Sequence, residues 1–384
     1  MADYWRLNSQ FIHTTIVAIA VGLLTACAST GSEVGLNRTT SSNLTSVPKG
    51  KLALHGAAVV YKNGQQVFSH YDGVANASWD LPIKEGVRFR IGSISKPMTA
   101  AVILSLADEQ KLSLDDTVQQ WLAEYNIKGA SEVKLRHLLN HSSGLYHYPD
   151  SKKFEEIRAN VSKADQLVSL FSNRSLGFVP GEQWSYSNAN YVLLGLVAEK
   201  ASGLSYAALI QRYIAKPAKL SATAHEGRNE IVPQLATPYY ISPEGDYSAL
   251  PFVAPLARYA AGSVYSTATD MAKWMQHLLD AQKAGDELYT KLTTATISLP
   301  DGVAEQAGVP PEYANGWFVG ERNIEGCKLY IIEHGGSILG YHARLRYLPG
   351  DNLIVSVAAN TTDDIQEAVD QLTLDNFDAK KCSD

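Results

Sequence analysis

The sequence predicts an α+β protein in which helices flank an antiparallel sheet and a mostly helical region is inserted into the chain. Three observations lead to this fold class. Strand-like segments lie near both ends of the chain, and helical patterns dominate between about residues 115 and 212. A nearly all-apolar helix is also predicted, with Pro97 in its first turn. The 384 residues are 45% apolar and 19% charged, as in an ordinary globular protein. We expect the α/β part over about 51–95 and 257–384 and the α-rich part over about 96–256.

A β-hairpin is predicted near the start of this domain. The segment from Ala57 to Tyr71 holds two β-rich runs around Asn63-Gly64, a dipeptide typical of hairpin turns. Further along, residues 93–107 form a helical pattern with Pro97 in the first turn. Because apolar residues lie on every side of this helix, we expect it in the middle of the molecule.

Strands return near the C-terminus. They are predicted at 316–319, 329–333, 343–348 and 353–359, with turns at Gly326 and at 349–351. Between the helical region and these strands, residues 220–256 look irregular. A final helix carries Ile365, Val369 and Leu372 at helical spacing. Together with the hairpin, these strands supply the predicted antiparallel sheet.

Residues 1–26 are predicted to be a lipoprotein signal peptide. The apolar run at 16–24 is shorter than the ~20 residues that a transmembrane helix needs. Its end, Leu24-Thr25-Ala26-Cys27, resembles a bacterial lipoprotein signal, so we expect cleavage before Cys27 and lipidation of that cysteine. The alternative is an ordinary secretory signal with an incidental cysteine. Residues 27–50 are rich in Ser, Thr, Asn and Gly, which predicts a flexible tether.

These features place the protein in the bacterial cell envelope, held to a membrane through Cys27. Ala28 after that cysteine favours the outer membrane, with the protein facing the periplasm. The net charge of -6 comes without any block of Lys or Arg, which excludes a nucleic-acid partner. In an oxidising compartment Cys327 and Cys382 either form a disulfide or remain buried thiols.

Ser93 and Lys96 are the candidate catalytic pair. Residues three apart share a helix face, and a lysine desolvated beside a buried helix loses its proton more easily, so its amine can take the serine proton. The N–H groups at the helix start would stabilise an oxyanion. The same spacing occurs at Ser46–Lys49 and Ser131–Lys134, but neither of these opens a buried helix. Context therefore selects Ser93.

Two further motifs carry polar groups suited to catalysis. Tyr186 and Asn188 lie two residues apart; a phenol can relay protons and an amide can hold a substrate amide. The run His334-Gly335-Gly336-Ser337 lies on a predicted strand near the C-terminus. Glycines in a strand permit close approach of another backbone, such as that of a substrate.

Other chemistry-bearing patterns are weak or absent. His137 and His141 stand four residues apart on a predicted helix, a spacing compatible with a metal ion, but no H-E-x-x-H motif is present. The sequence lacks G-x-S-x-G, which argues against an α/β-hydrolase. It also lacks the glycine-rich motifs of P-loop and dinucleotide-binding proteins.

Taken together, these motifs resemble those of the serine β-lactamase and penicillin-binding superfamily, specifically its class C-like branch of DD-peptidases, esterases and amidases. The likeness extends from about Gly56 to Asn360 and includes 138–145 and 261–267. It implies a β-lactamase/transpeptidase-like fold, with no cofactor and no metal.

The resemblance also implies a role for each residue. Ser93 becomes acylated, and Lys96 lowers the barrier to its deprotonation. Tyr186 acts as the partner base and later as the acid for the leaving group, and Asn188 positions the acyl side chain. The N–H groups of Ser93 and Ser337 form the oxyanion hole. Whether Lys96 or Tyr186 is the general base stays open.

His334 departs from the β-lactamase pattern, in which a lysine clamps the substrate carboxylate. Histidine is often uncharged at neutral pH, which lowers our expectation of efficient β-lactam hydrolysis. His342, Arg344 and Arg346 alternate on one predicted strand. They would replace the clamp if they faced the cleft; the alternative is a solvated strand face.

We therefore expect an envelope serine hydrolase that cleaves amide or ester bonds through a Ser93 acyl-enzyme. The substrates would be small molecules or peptides: D-amino-acid peptides, as for a D-alanyl-D-alanine carboxypeptidase, or esters. One alternative is a class C-like β-lactamase. Another is a non-catalytic lipoprotein that binds cell-wall peptides, and the intact set of Ser93, Lys96, Tyr186 and Asn188 counts against it.

Overall fold

The structure is a computed structural model that describes residues 52–378 and 382. The predicted signal peptide, Cys27 and the tether lie outside the described residues and stay predictions. The helices are α1 (Ser95–Asp108), α2 (Val118–Leu122), α3 (Leu135–Leu139), α4 (Lys152–Ile157), α5 (Ala164–Val168), α6 (Asn188–Ser202), α7 (Tyr206–Ile210), α8 (Ala268–Lys283), α9 (Leu288–Thr293), α10 (Val303–Ala307) and α11 (Gln366–Asn376). The strands are β1 (Gly56–Lys62), β2 (Gln65–Asp72), β3 (Val74–Asn76), β4 (Leu81–Pro82), β5 (Phe89–Arg90), β6 (Ala224–His225), β7 (Tyr239–Ile241), β8 (Tyr247–Ala249), β9 (Val264–Ser266), β10 (Ile297–Ser298), β11 (Glu312–Tyr313), β12 (Phe318–Ile324), β13 (Cys327–Ile338), β14 (Tyr341–Leu348) and β15 (Leu353–Ala359).

One antiparallel sheet organises the described part of the chain. Its eight strands follow the order β10-β11-β12-β13-β14-β15-β1-β2, so the first hairpin joins the C-terminal strands through β1 and β15. The predicted turn between β1 and β2 is confirmed, because Asn63 and Gly64 both adopt positive φ. The α+β fold class predicted from the sequence is therefore confirmed.

Alternate residues of β1 face two different cores. Val59 and Tyr61 join a large apolar core with Met271 of α8, whereas Ala58 and Val60 pack in a second core with α11. Helix α1 lies in the first core, where nearly all its residues are buried, as predicted from its apolar sequence. The N-terminus of α1 is thus fixed at the centre of the molecule.

The C-terminal strands differ in length from the prediction. β12 begins at Phe318, because Gly316 adopts φ +90° in a turn packed against Pro97 of α1. β13 extends to Ile338 and so contains the whole run from His334 to Ser337. The α-rich and α/β parts expected from the sequence remain a prediction.

A disulfide joins Cys327, at the start of β13, to Cys382, beyond the end of α11. It links Cys382 to the end of β13 at which that strand begins. Within residues 52–378 and 382, no single helix is long and apolar enough to cross a bilayer. By length and composition alone, only the bent pair formed by Asn188–Ser202 and Tyr206–Ala215, at 84°, meets that test.

Candidate active site

Ser93 lies in a 3-10 turn, Gly92–Ile94, that leads directly into α1. The turn is fixed from behind, since β5 pairs with β9 and Ile91 N donates to the Val264 carbonyl at 3.1 Å. Gly92 adopts φ +52°, a conformation that side chains disfavour. Ser93 is half-buried at the start of a helix, where backbone N–H groups lack partners within the helix itself.

Lys96 follows one turn later and is fully buried. Its Nζ lies 2.9 Å from Oγ of Ser93 and donates to the Ala261 carbonyl at 2.9 Å. Burial lowers the pKa of Lys96 well below its usual value, and the positive charge of Arg258 lowers it further. Burial thus favours the neutral form of the amine, which is the form that a base for Ser93 requires.

The ring of Tyr186 lies close to the Lys96 amine. The Lys96 Nζ is 4.8 Å from the centroid of the Tyr186 ring. That ring contacts His141 at 4.4 Å between centroids and lies 6.3 Å from the ring of His334. The predicted trio of serine, lysine and tyrosine thus lies within one cluster.

His141 supports Tyr186 and was not predicted as a site residue. The expectation that His141 shares a helix with His137 is wrong, because α3 ends at Leu139 and His141 adopts φ +62°. Its Nδ1 accepts from Asn190 Nδ2 at 2.8 Å, and burial lowers the pKa of His141 well below normal. Among the described residues, no group of three or more His, Cys, Asp or Glu is arranged to hold a metal.

Asn188 begins α6 beside the cluster. Its backbone N–H donates to His147 Nδ1 at 3.2 Å. The side-chain Oδ1 of Asn188 is buried, and no described residue donates a hydrogen bond to it. Because buried polar atoms normally have a partner, this oxygen is suited to accept an N–H of a bound substrate.

The end of β13 passes beside the catalytic turn. Pairing with β12 stops at Glu333, whereas pairing with β14 continues to Ile338, so one edge of β13 faces Ser93. A Cβ on Gly336 would overlap the Ile91 carbonyl oxygen and would lie 3.0 Å from Ser93 N. The backbone that approaches this side of Gly336 is the chain's own turn, and the expected contact with a substrate stays a prediction.

This close approach also places two amides together. A Cβ on Gly92 would lie 2.8 Å from the backbone N of Ser337. The backbone nitrogens of Ser93 and Ser337 therefore lie close together, as the predicted oxyanion hole requires. Two backbone donors in such a position form the arrangement that stabilises a tetrahedral oxyanion.

His334 is buried on β13 next to Gly335. Its Nδ1 donates to the Gly335 carbonyl at 2.6 Å, and the Tyr313 hydroxyl donates to its Nε2 at 3.2 Å. Burial, with a further contribution from the charge of Lys96, lowers the pKa of His334 to about 3. The imidazole is neutral at pH 7 and does not act as a cationic clamp.

Arg346 follows neither of the two alternatives considered for it. It is fully buried, with Nε 2.7 Å from Glu333 and Nη1 2.7 Å from Asp370 of α11. It is therefore neither a solvated residue nor a clamp in the cleft. Arg344, on the same face of β14, contacts Glu333 at 2.9 Å, and burial lowers the pKa of His342. The alternating pattern in the sequence showed that Arg344 and Arg346 share a face of β14. It did not show that α11 packs over that face.

The chain is similar to known proteins in sequence and in fold. The family model described as "Beta-lactamase" matches residues 47–380. Penicillin-binding protein 4* of Bacillus subtilis is 29% identical over 78% of this chain and 66% of its own length. The teichoic acid D-alanine hydrolase of Staphylococcus aureus is 29% identical over 57% of this chain and 53% of its own length.

A solved structure, the D-stereospecific amidohydrolase from Streptomyces sp., is 26% identical, with a TM-score of 0.67. The alignment covers 83% of this chain and 93% of that protein. The chain spans slightly less than two thirds of the length of the Bacillus protein and about half that of the Staphylococcus protein.

Proposed function

Because the chain belongs to the beta-lactamase family, we propose that it is a serine hydrolase that cleaves amide or ester bonds through a Ser93 acyl-enzyme. The observation that carries this proposal is the contact of 2.9 Å between Ser93 Oγ and a fully buried Lys96 amine of lowered pKa. Burying an amine that has no carboxylate partner among the described residues lowers the stability of the fold. Such groups are typical of catalytic sites.

The geometry supports a two-step reaction. Ser93 Oγ attacks the substrate carbonyl carbon while its proton passes to Lys96 Nζ, and the N–H groups of Ser93 and Ser337 stabilise the oxyanion. The C–N or C–O bond then breaks, and the leaving group takes a proton through Lys96 or Tyr186. Water hydrolyses the acyl-enzyme by the reverse proton path and frees Ser93.

The substrate class follows from the relatives' names. One relative is named for hydrolysis of D-alanine on teichoic acid, and one solved structure is that of a D-stereospecific amidohydrolase. We infer that this chain acts on an amide or ester of a D-amino acid, as a DD-carboxypeptidase or an esterase. The neutral His334 disfavours β-lactams, whose carboxylate a cation would bind more strongly.

Intact mass spectrometry of the protein lacking residues 1–27, incubated with benzylpenicillin, tests the nucleophile. A lasting adduct on the wild type that is absent from Ser93→Ala supports a slowly deacylating, penicillin-binding peptidase. Hydrolysed penicillin without an adduct indicates a β-lactamase. Unchanged penicillin directs the test to acyl-D-alanyl-D-alanine and to D-alanyl esters.

Turnover of those two substrates distinguishes a hydrolase from the non-catalytic binding protein. Release of D-alanine by the wild type and not by Ser93→Ala supports the proposal, and comparison of the peptide with the ester gives the preferred bond. Binding of the peptide without release of D-alanine would favour the non-catalytic alternative.

The cellular location is also a proposal, and it depends on the sequence alone. Cleavage before Cys27 and lipidation of that residue would hold the protein in the bacterial envelope, at the outer membrane facing the periplasm. Metabolic labelling with a clickable palmitate, followed by membrane fractionation, tests this. The wild type should be labelled and Cys27→Ser should not; equal labelling of the two would contradict the anchor.

A further inference from the structure

Arg258 lies along one wall of the active site. It follows the 3-10 turn Pro255–Ala257. A Cβ on Gly262 would lie 3.3 Å from the Arg258 Cγ and 3.6 Å from the Gly92 carbonyl carbon. The Arg258 side chain therefore begins next to the catalytic turn. At its far end the guanidinium carbon lies 5.2 Å from the centroid of the buried Phe154 ring.

The guanidinium forms no ion pair in the part of the chain that the structure describes; the nearby Asp150 carboxylate feels its charge, which opposes the rise that burial causes in the pKa of Asp150. Among the same residues, the Arg258 Nε is buried without a hydrogen-bond acceptor. Arg90 and Arg346, by contrast, each form short ion pairs with glutamates. Because a buried donor without a partner costs about 1–3 kcal/mol, such a group is expected where a ligand supplies the acceptor.

The charge of Arg258 acts on the groups that line the site. Burial is the main cause of the lowered pKa of Lys96 and of His147, and the charge of Arg258 is the second-largest cause for both groups. His147 in turn accepts the backbone N–H of Asn188. Arg258 thus lies on the Asn188 side of Lys96. His334 lies on the other side, against Tyr313 and Tyr186.

We propose that Arg258 binds an anionic group on the acyl part of the substrate, so that the enzyme prefers acyl donors that carry a carboxylate. This proposal rests on the proposed function, because it assigns the Asn188 side to the acyl group. The guanidinium offers two parallel N–H donors, which match a carboxylate. With His334 neutral, recognition of an anion falls to the acyl side of the cleft rather than to the leaving-group side.

A matched pair of substrates tests the proposal: the thiobenzyl esters of N-succinyl-D-alanine and N-butyryl-D-alanine. The two acyl chains have the same number of carbons and differ by the terminal carboxylate. Wild type should favour the succinyl compound in kcat/KM. Arg258→Gln should reduce the succinyl-to-butyryl ratio by about 10- to 100-fold, the value of a charged hydrogen bond, and Arg258→Lys should retain part of it.

The ratio is insensitive to partial misfolding, since loss of active protein lowers both rates equally. Arg212→Gln, a change at an exposed arginine with 54% side-chain exposure, serves as the control and should leave the ratio unchanged. An unchanged ratio in Arg258→Gln, with turnover of the butyryl compound intact, would overturn the anion site alone. Failure of wild type to hydrolyse either ester, with no acyl adduct on Ser93, would overturn the proposed function and this inference together.

Discussion

Glu333 and His334 are neighbours on β13, and their side chains lie on opposite faces of the sheet. On the Glu333 face, the carboxylate contacts Arg344 at 2.9 Å and Arg346 at 2.7 Å, and Arg346 continues to Asp370. Burial raises the pKa of Glu333, but the charges of Arg346, Arg344 and Arg322 outweigh this and hold it below its usual value. Every member of this network is charged and paired.

On the His334 face, three buried basic groups form no ion pairs among the described residues. Lys96, His141 and His334 are all buried, and the pKa of each is lowered by burial first. No carboxylate forms an ion pair with any of them within the described part of the chain. A buried charge that is paired holds elements together, whereas a buried base kept neutral remains free to take a proton. One strand therefore carries a structural face and a chemical face.

Lys96→Met gives the largest expected effect and separates the two faces most clearly. Loss of the proposed base should lower kcat/KM about 10³-fold, measured on the substrate that the wild type hydrolyses best. The free energy of unfolding in urea should stay the same or rise, because methionine removes a buried amine that has no anionic partner. Lys273→Met, at an exposed position on α8, should change neither quantity. Strong destabilisation with activity retained would contradict the assignment.

Glu333→Gln should reverse that pattern. It leaves Arg346 buried without its main partner and should lower the free energy of unfolding by about 3 kcal/mol. Well below the melting temperature, kcat/KM should stay close to that of wild type, because the network lies on the face covered by α11. Glu321→Gln on the exposed surface of β12 is the matched control, with an expected change under about 0.5 kcal/mol. Equal effects of the two variants would show that the network is not structural.

Gly336→Ala should lower kcat, because Gly336 of β13 packs against the turn that carries Ser93. The added methyl group must push the catalytic turn away from β13, which separates the N–H groups of Ser93 and Ser337. Loss of one oxyanion donor corresponds to about a 10²-fold drop in kcat. Gly350→Ala, where a methyl group meets no neighbour within 4 Å, is the control. If kcat is unchanged in Gly336→Ala, the oxyanion hole lies elsewhere.

The smallest expected effect concerns acid stability. The folded-state pKa of His334 is about 3, below the value of about 6.5 in an unfolded chain, so the unfolded state binds more protons between these values. Stability that is full above about pH 6.5 is therefore lost as the pH falls toward 3, by about 2 kcal/mol at pH 5. His334→Gln should show a shallower loss in thermal melts between pH 7 and 5. Parallel curves for the two proteins would mean that His334 is not held neutral.

The local parts of the site were predictable from the sequence. Ser93 and Lys96 are one helical turn apart, and helix geometry alone brings them together. The hairpin at Asn63-Gly64 and the apolar α1 follow from turn chemistry and from burial. In each case the interaction that fixes the structure lies within a few residues along the chain.

The rest depends on contacts between distant segments. Arg346 looked like a surface residue, because the sequence does not show that α11 packs over β14. His141 leaves its helix to contact Tyr186, and Arg258 belongs to no motif, so neither was recognised. Gly336 packs against Ile91, which lies far away in the sequence, and the glycine pattern did not show that contact. Periodicity reports which residues share a face; it does not report what covers that face.

The hydrogen bonds around Lys96 have a consequence for how the protein folds. The amine reaches the carbonyl of Ala261 across 165 residues, and the hydroxyl of Ser95 receives the N–H of Val264 across 169. Such pairings form late, because a long loop must close before they stabilise anything. A chain that has built only its hairpins and local helices has Ser93 next to Lys96, but it lacks the long-range contacts that bury the amine and lower its pKa. Recovery of hydrolysis after dilution from denaturant should therefore trail the return of secondary structure.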